Sequence, residues 1–599
     1  MPINEEPLSA IRSPRPPVQS PTRLLKGGSG ARLFNAPEWS WFRAGDTGWW
    51  VLPNWREALL GPGGLRLEEW RAEGRLTTIK AGPHRVVYRA DLATGSVFVK
   101  HFLVPDLRTK LRQWFRRGKG RNEARRAAHL SKIGVQTITP IALGERRRGA
   151  FLLENFLITP AIPDTLPLDE FVELSLPRFD EPRRRRIARA LAKELGRFTA
   201  RLHQHQIVHE DFHPGNILVR LVDDRPVLAM IDLDALRVRK RLSWRAARAN
   251  LALLNHYFWT RCGLTDRRRF LRAYLAGRRG GPTIDPRAFA REIEQATRAW
   301  AERLWTHWGK RCRRRNKYFE TYQNGFGRWS IAVKDMDASV VKTLLADPDA
   351  PFRPGAAKIV KNSRTTAIAE LTLPIAGVDA TVIYKRFNRR QWIDPFLCLF
   401  RPSRGWQAWQ AAQHLVSRAI PTPRTLAVFN RPAKGWLGLP GDTYVIALKQ
   451  ESMTLYEYAH DVLPTLEPRS RRRASRRLIG ALAHLTRLLH ERSLSHRDLK
   501  AANVLVSFEP GGDPATDEPS LRLIDLVGVR HLHPLPKHRK RQNLARLALS
   551  LVDVFNRTDA LRFLLCYDPR ADWKTLWREV DRGAARKIAR NRRNGRELT

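Results

Sequence analysis

The stretch His209-Glu210-Asp211-Phe212-His213-Pro214-Gly215-Asn216 is answered further along the chain by His496-Arg497-Asp498-Leu499-Lys500-Ala501-Ala502-Asn503. Both have the spacing H-x-D-x-x-x-x-N. In a tight loop this spacing lets the Asp accept a proton from an incoming hydroxyl while the Asn, on the far side, holds a metal ion. One copy would be a weak hint. Two copies in matching surroundings describe the whole chain as a duplication of one catalytic unit.

Working outward from the two loops, the halves align at a near-constant offset, as a true repeat requires. Val97-Phe98-Val99-Lys100-His101-Phe102 corresponds to Val382-Ile383-Tyr384-Lys385-Arg386-Phe387, His129-Leu130 to His414-Leu415, and Arg201-Leu202-His203 to Leu488-Leu489-His490. Downstream, Val227 to Asp232 and Leu521 to Asp525 are apolar runs ending in an acid, the pattern of a buried strand that delivers a ligand at its tip. Asn250-Leu251-Ala252 and Asn543-Leu544-Ala545 stand equally far beyond those acids, and Phe270 to Tyr274 is repeated by Phe563 to Tyr567. The Gly, Pro and Asp-rich run from Ser507 to Ser520 reads as a surface loop. The seam is placed near residue 330, where the basic helix-like segment ending around Arg315 gives way to a new start containing Trp329. The expected organisation is a tail over 1–30, a first domain over 31–328 and a second over 329–599.

Composition agrees with two cores. A chain of 599 residues is comfortable as two domains of roughly 250 to 300 residues each. Its 108 Lys plus Arg against 58 Asp plus Glu give a net charge of +50, a surface that attracts polyanions. Nucleic acid, anionic lipid and phosphorylated glycan are all admissible partners; the competing explanation is an arginine-biased composition on ordinary solvated faces. Cys262, Cys312, Cys398 and Cys566 form no C-x-x-C pair, so neither a zinc site nor a disulfide framework is indicated. The N-terminal run is Pro, Ser and Arg-rich without an apolar core, and reads as a disordered tail instead of a signal peptide. No segment approaches the roughly 18 to 20 apolar residues that span a bilayer. The expected location is cytoplasmic, with peripheral contact at the inner face of the cytoplasmic membrane.

The residues assign roles within each copy. Lys100 and Lys385 lie on alternating, β-branched runs, where a strand sets an ammonium against the α and β phosphates of ATP. Glu123, on the helical run Asn122 to Leu130, is placed to pair with Lys100; its alternative is a surface pair with Arg126. The second copy has Ala408 at the aligned position, with Gln407 and Gln410 nearby, and an amide anchors a Lys less firmly than a carboxylate. The phosphate-covering segments, Lys80 to Arg85 and Lys361 to Thr366, are not G-x-G-x-x-G loops, though their amides, Lys and Arg could cover phosphates. Asp211 and Asp498 are the bases that orient the acceptor hydroxyl, and Asn216 with Asp232, and Asn503 with Asp525, are the metal ligands, which calls for Mg2+. Asp234 is an alternative to Asp232. His209 and His496 brace the loops. The expected fold is α+β, two tandem bilobal kinase-like domains, each with a β-rich N-lobe and a mainly helical C-lobe.

These residues resemble the protein-kinase-like superfamily, and more narrowly the lipopolysaccharide core kinases, the Kdo and heptose kinase group. Asp211 to Leu218 looks like the D-x-H-P-x-N loop of small-molecule kinases. The second loop looks like that of eukaryote-type protein kinases, including Lys500, which the resemblance sets against the transferred phosphate. Lys361 to Glu370, Lys385-Arg386-Phe387, Arg401-Pro402-Ser403-Arg404 and Ala419 to Pro423 carry the likeness to the lipopolysaccharide kinases, which covers most of the chain from about residue 75 onward. It implies an ATP and magnesium-dependent transfer to a hydroxyl of a glycolipid sugar.

Spacing bears on the acceptor independently. The short, equal separations from Asp232 to Asn250 and from Asp525 to Asn543 leave little room for a peptide-docking segment, and no A-P-E follows either acid. A sugar or lipid acceptor is favoured over a protein. Leu111 to Arg121, with Trp114 and Phe115, and Arg389 to Trp409, with Trp392, Phe396, Phe400 and Trp406, mix basic and aromatic residues as a headgroup layer would demand; the alternative is inward packing of the aromatics. The competing functions are a protein kinase, supported by the second loop, and a non-catalytic basic scaffold binding membrane or nucleic acid, opposed by metal-handling residues in both copies. Nucleic acid is not favoured. The first copy is expected to be the active one, with the second weakened or diverged.

Overall fold

The structure is a computed structural model that describes residues 38–593 apart from 83, 104–117, 150, 280–283, 325–326, 390, 392, 399, 433–439 and 510. The expected tail over 1–30, Trp114, Phe115 and Trp392 lie outside the described residues. Contacts divide the chain into two compact units, Met1–Trp300 and Ala301–Thr599.

In the first unit, strand-forming runs build one seven-stranded sheet from β1 (Ser40–Ala44), β2 (Thr47–Val51), β3 (Leu76–Gly82), β4 (Arg85–Leu92), β5 (Gly95–Leu103), β6 (Ala142–Arg148) and β7 (Phe151–Pro160), in the order β1-β2-β6-β7-β5-β4-β3. Alternation along β5 buries Val97 and Val99 with Trp49, Trp70 and Ile158, the period of two that a pleated strand imposes. Helix α1 (Lys119–Lys132) packs on β7. The helical lobe centres on α2 (Glu181–Gln204), started by the Asp180 side chain accepting from Arg183 N and by a Pro in its first turn. Ile187, Leu191, Leu195, Phe198 and Leu202 form its buried stripe, spaced as one helix face requires. Four short strands, β8 (Ile207–His209), β9 (Ile217–Val222), β10 (Arg225–Met230) and β11 (Leu236–Val238), carry the catalytic loop and the acid that follows it; α3 (Trp244–Trp259), α4 (Leu264–Ala276) and α5 (Pro286–Arg311) complete the lobe.

The second unit repeats this element by element. Its sheet runs β12 (Phe319–Asn324), β13 (Gly327–Val333), β17 (Thr425–Pro432), β18 (Pro440–Leu448), β16 (Val378–Phe387), β15 (Thr366–Ile375), β14 (Lys358–Ser363), the same topology in the same order. Helix α6 (Arg404–Ser417) takes the place of α1, and α7 (Pro468–Glu491) that of α2. Strands β19 (Leu494–His496), β20 (Val504–Ser507), β21 (Ser520–Leu523) and β22 (Val529–His531) precede α8 (Lys537–Leu549), α9 (Arg557–Tyr567) and α10 (Trp573–Arg593). Ser507 pairs with Ser520 across β20 and β21, so the polar run between them is a connection at the end of a hairpin.

The seam differs from the expected 328/329. Phe319 to Asn324 already pairs with the second sheet, and the compact units part inside α5. A helix gives no composition shift at its middle, and the basic run before Arg315 continues α5 instead of ending a domain.

The aromatic segment of the second copy is divided as well. Trp406 and Trp409 are buried in the sheet core, whereas Phe396 and Phe400 are 45% and 77% exposed. Trp409 stacks edge-on against Phe319 at 5.6 Å and donates its indole N–H to Cys312 O at 2.9 Å. Trp409→Ala should cost about 3–5 kcal/mol of the second unit's stability, a cavity of indole size plus an unsatisfied carbonyl, read as a lower denaturant midpoint; an unchanged midpoint would refute this packing.

Candidate active site

Each catalytic loop leaves a short strand, makes one turn of 3-10 helix and enters the next strand, so the loop is gripped at both ends. Asn216 and Asn503 show how. Each amide nitrogen donates to the carbonyl of the loop Asp, Asp211 or Asp498, at 2.8 Å. Each backbone carbonyl accepts at 3.0 Å from the residue just before the second acid, Ile231 or Ile524. The Asn and the acid are thereby locked together across the hairpin. Asp232 and Asp525 both adopt the left-handed conformation, φ 53° and ψ 58°, uncommon for a residue with a side chain, though least so for Asp and Asn.

His209 and His496 brace these loops, as expected. His209 Nε2 donates to Asp232 O at 3.0 Å and His496 Nε2 to Ile524 O at 3.1 Å. Burial pushes both rings below the ordinary histidine range, so they serve as neutral donors. Behind them lies a buried chain with no counterpart among the expected site residues. Asn250 donates to His209 O at 2.7 Å; its Oδ1 accepts from His203 Nε2 at 3.1 Å, and His203 Nδ1 accepts from Tyr274 OH at 2.9 Å. The second unit repeats it with Asn543, His490 and Tyr567 at 2.8, 3.1 and 2.7 Å. Burial lowers the pKa of His203 and of His490 to about 4, which keeps one proton per ring. All six residues stood out in the sequence as repeat landmarks, and that was their only signal.

The ammonium groups are held differently in the two copies. Lys100 forms an ion pair with Glu123, which is wholly buried on α1; Glu123 Oε1 also accepts from Leu233 N at 3.3 Å, tying the pair to the turn after Asp232. Arg126, the alternative partner, instead donates to Leu233 O and Asp234 O at 3.1 and 3.0 Å. Asp234 meets Arg126 at 3.5 Å, and Asp232 is the acid linked to the Asn loop. Arg85, in the expected phosphate-covering segment, contacts Asp232 at 2.9 Å. Burial pushes the Asp232 carboxyl up, but Arg85 and Lys100 outweigh it and hold it below the usual carboxylate range.

In the second copy Ala408 is buried, Gln407 donates to Pro402 O and Gln410 accepts from Arg313. Neither amide takes up Lys385, which pairs with Asp525 at 3.1 Å. Burial also raises Asp525, and Lys385 brings it net below its ordinary value.

Asp211 and Asp498 face the open side, their side chains 71% and 49% exposed. A basic side chain stands two residues on in each copy: His213 Nε2 lies 3.6 Å from Asp211 Oδ2, and Lys500 Nζ 3.7 Å from Asp498 Oδ2. His213 is a site residue that the motif reading passed over, although it occupies the position of Lys500. It holds Asp211 below the usual carboxylate range, and Asp211 raises His213 in turn.

The donor set suits magnesium with nucleotide phosphates. Because the amide nitrogens of Asn216 and Asn503 are engaged, their Oδ1 atoms are the ends left to join Asp232 and Asp525 as metal donors, one amide oxygen and one carboxylate per copy. With so few protein donors, a magnesium ion there would be completed by phosphate and water.

Asn250→Ala and Asn543→Ala each strand a buried His and a backbone carbonyl, so each should cost about 1–3 kcal/mol per unsatisfied group. Each should also slow any reaction of its own copy. Full activity and stability in both variants would show that the buried chain does not hold the loops.

Known proteins match the chain as follows. Over 163 residues it is 29% identical to the lipopolysaccharide core heptose(I) kinase WaaP of Pseudomonas aeruginosa, a match over 26% of this chain and 59% of the relative, so the chain spans about three-fifths of that relative's length. It is similar to the solved structure titled WaaP in complex with acyl carrier protein, with 23% identity and a TM-score of 0.31, covering 42% of this chain and 95% of that one. It is also similar to a Toxoplasma gondii specific rhoptry antigen kinase domain, with 15% identity and a TM-score of 0.24, covering 37% and 73%. The sequence model of the lipopolysaccharide kinase (Kdo/WaaP) family matches twice, over residues 89–274 and 400–578, once in each copy and together more than half of the sequence, and the chain belongs to that family.

Proposed function

We propose that the chain is an ATP-dependent phosphotransferase that phosphorylates a hydroxyl of a lipopolysaccharide-core or related glycolipid sugar. The observation that carries this reading is the Asp, Asn and Asp set repeated in both units, each tied by the same hydrogen bonds, with the first Asp open to an acceptor. Asp211 or Asp498 orients the acceptor hydroxyl and takes its proton as the phosphoryl group arrives. Lys100 and Lys385 hold the α and β phosphates, Lys100 being positioned by Glu123. Asn216 with Asp232, and Asn503 with Asp525, would hold Mg2+, which would supply charge neutralisation for the transferred group. His213 and Lys500 lie beside the base, where a cation meets the transferred phosphoryl group. The scaffold alternative has no use for this repeated set.

A compact acceptor is supported by the segment after each metal-binding acid. Strand β11 ends at Val238 and α3 begins at Trp244; β22 ends at His531 and α8 begins at Lys537. Neither interval offers the platform on which a protein kinase lays a peptide. In the second unit a cavity of about 690 Å³ opens beside Asp498 and Asp525, the size of a small-molecule site. Among the described residues no helix is long and apolar enough to cross a membrane. Peripheral contact with an anionic membrane face is supported by the net charge of +50 and by exposed Phe396 and Phe400 next to Arg401.

The first copy is assigned the faster reaction, because Lys385 has no helix carboxylate and must release Asp525 before both can act. With labelled ATP, magnesium and extracted glycolipid, Asp211→Ala should lower transfer by about 10²- to 10⁴-fold in the first copy's share, Asp498→Ala should remove a smaller share, and the double variant should abolish it. Transfer to a generic protein but not to glycolipid would refute the acceptor class, and transfer untouched by the double variant would refute the mechanism.

The two copies should also differ in pH dependence. His213 is cationic below its raised pKa and loses its charge as pH rises through it, and the second copy has no histidine at that position. In Asp498→Ala, which leaves the first copy, activity should therefore fall as pH rises above the ordinary histidine value, and His213→Lys should move that fall to higher pH. The Asp211→Ala chain should show no such fall, and matching pH profiles for the two single variants would exclude a role for His213.

A further inference from the structure

Four positions around the catalytic Asp carry a different summed charge in the two copies, three of them through a change of residue, although the loops keep the same hydrogen bonds. The register is set by strand pairing and by one ion pair. Arg237 pairs across to Val208 in the strand entering the first loop, and Arg530 to Ser495 in the strand entering the second. Arg248 of α3 meets Glu292 of α5 at 2.5 Å, and Arg541 of α8 meets Glu579 of α10 at 2.5 Å. Counting from these anchors, Glu210, Arg237, Leu253 and Trp300 of the first copy correspond to Arg497, Arg530, Arg546 and Lys587 of the second. The first set is neutral, since Glu210 pairs with Arg237 at 2.9 Å. The second carries four positive charges, all lining the cavity beside Asp498.

Asp498 attracts Arg546 and Lys587 from across the cavity, but one carboxylate does not balance four cations. Among the described residues no carboxylate forms an ion pair with Arg497, Arg530, Arg546 or Lys587; Arg530 donates only to the Gln407 amide, at 3.2 Å. Burial pushes the Arg546 guanidinium down and, with repulsion from Arg497, Arg539 and Arg590, outweighs the attraction of Asp498; burial, then repulsion from Arg546, likewise outweighs Asp498 at Lys587. Half-buried like charges that repel one another are stable at such density when an anion joins them. The nucleotide does not explain them. The first copy presents the same Lys, Asn and Asp set for ATP and keeps only one of the four cations, Arg237, which Glu210 neutralises.

We infer that the second copy's acceptor already bears a phosphate group, read by Arg546 and Lys587 with Arg497 and Arg530, whereas the first copy's acceptor needs none at that place. The inference rests on the phosphotransferase reading for the word acceptor, but the anion site stands on the geometry alone. The class of reaction that supplies such an acceptor is an earlier phosphorylation of the same glycan.

Binding without ATP tests this. The probes are a deacylated, phosphate-bearing core oligosaccharide and the same oligosaccharide stripped of phosphate with hydrofluoric acid, titrated calorimetrically into the full chain. The phosphorylated form should bind at least tenfold more tightly. Arg546→Leu with Lys587→Trp, the residues of the first copy, should erase that preference, as should Arg546→Gln with Lys587→Gln, while Arg546→Lys with Lys587→Arg should keep it. Arg469→Leu with Arg473→Leu, which removes two exposed charges from α7, should leave it intact. Equal binding of the two probes, a preference that survives the cavity substitutions, or one lost equally in the α7 control would each overturn the inference. Transfer from labelled ATP is measured separately, so a preference without transfer would sink the phosphotransferase reading while leaving the anion site in place.

Discussion

The structure depends on one buried amide in each copy. Asn250 and Asn543 donate to the carbonyl of the loop histidine while accepting from a neutral histidine behind it, itself fixed by a tyrosine hydroxyl. Each member of this chain is satisfied only if the others stand where they do, and in a low-dielectric interior an unsatisfied member is costly. The constraint passes outward in steps. The held histidine reaches the backbone at Asp232 in one copy and just before Asp525 in the other, and the Asn of the loop holds the carbonyl of Asp211 or Asp498. The proposed base and metal ligands are thus located by neutral hydrogen bonds, and no ion pair is required to position them.

Charge enters where nucleotide would bind, and there the copies diverge. In the first, a buried Glu123 gives Lys100 a partner of its own, and Asp232 is left to Arg85. In the second, Ala408 removes that partner and Lys385 falls onto Asp525. The difference lies in which carboxylate is committed before substrate arrives. A Lys with an independent counter-ion is pre-organised, whereas one bound to the metal ligand must exchange partners. The residue at one helical position therefore changes the resting state of two groups that lie 140 residues apart in the sequence.

What was legible in the sequence follows the same division. Groups whose chemistry requires a particular residue type, Asp211, Asn216, Asp232 and Lys100 and their counterparts, stood out by spacing and recurrence, Glu123 by its place on the following helix, and the structure gathers them. His203, Asn250 and Tyr274 recurred equally well yet suggested no role, because a neutral hydrogen-bonded chain spans three helices and has no local spacing to announce it. His213 was hidden by chemistry: imidazole and the ammonium of Lys500 do not look alike, though they occupy one position. Trp406 and Trp409 read as interfacial or internal with equal ease, since a basic, aromatic helix satisfies both patterns until the sheet that covers it is known. The seam was misplaced for a related reason. The helix that spans it has no internal boundary, and β12 becomes recognisable as the start of the second sheet only through its pairing partner.

The duplication also separates what a fold must keep from what it can vary. Backbone angles at Asp232 and Asp525 agree to the degree, and the buried chains agree within about 0.2 Å, because a change in either disturbs groups that cannot reach water. Glu210 and Arg497 sit one residue from the catalytic Asp and carry opposite charges, yet the loops around them keep the same hydrogen bonds. A side chain at the mouth meets solvent or acceptor and not the scaffold, so its charge can invert without cost to the loop behind it. Copy-to-copy variation at such positions is therefore information about the acceptor, and variation at the buried ones, as at Ala408, is information about the resting state of the site.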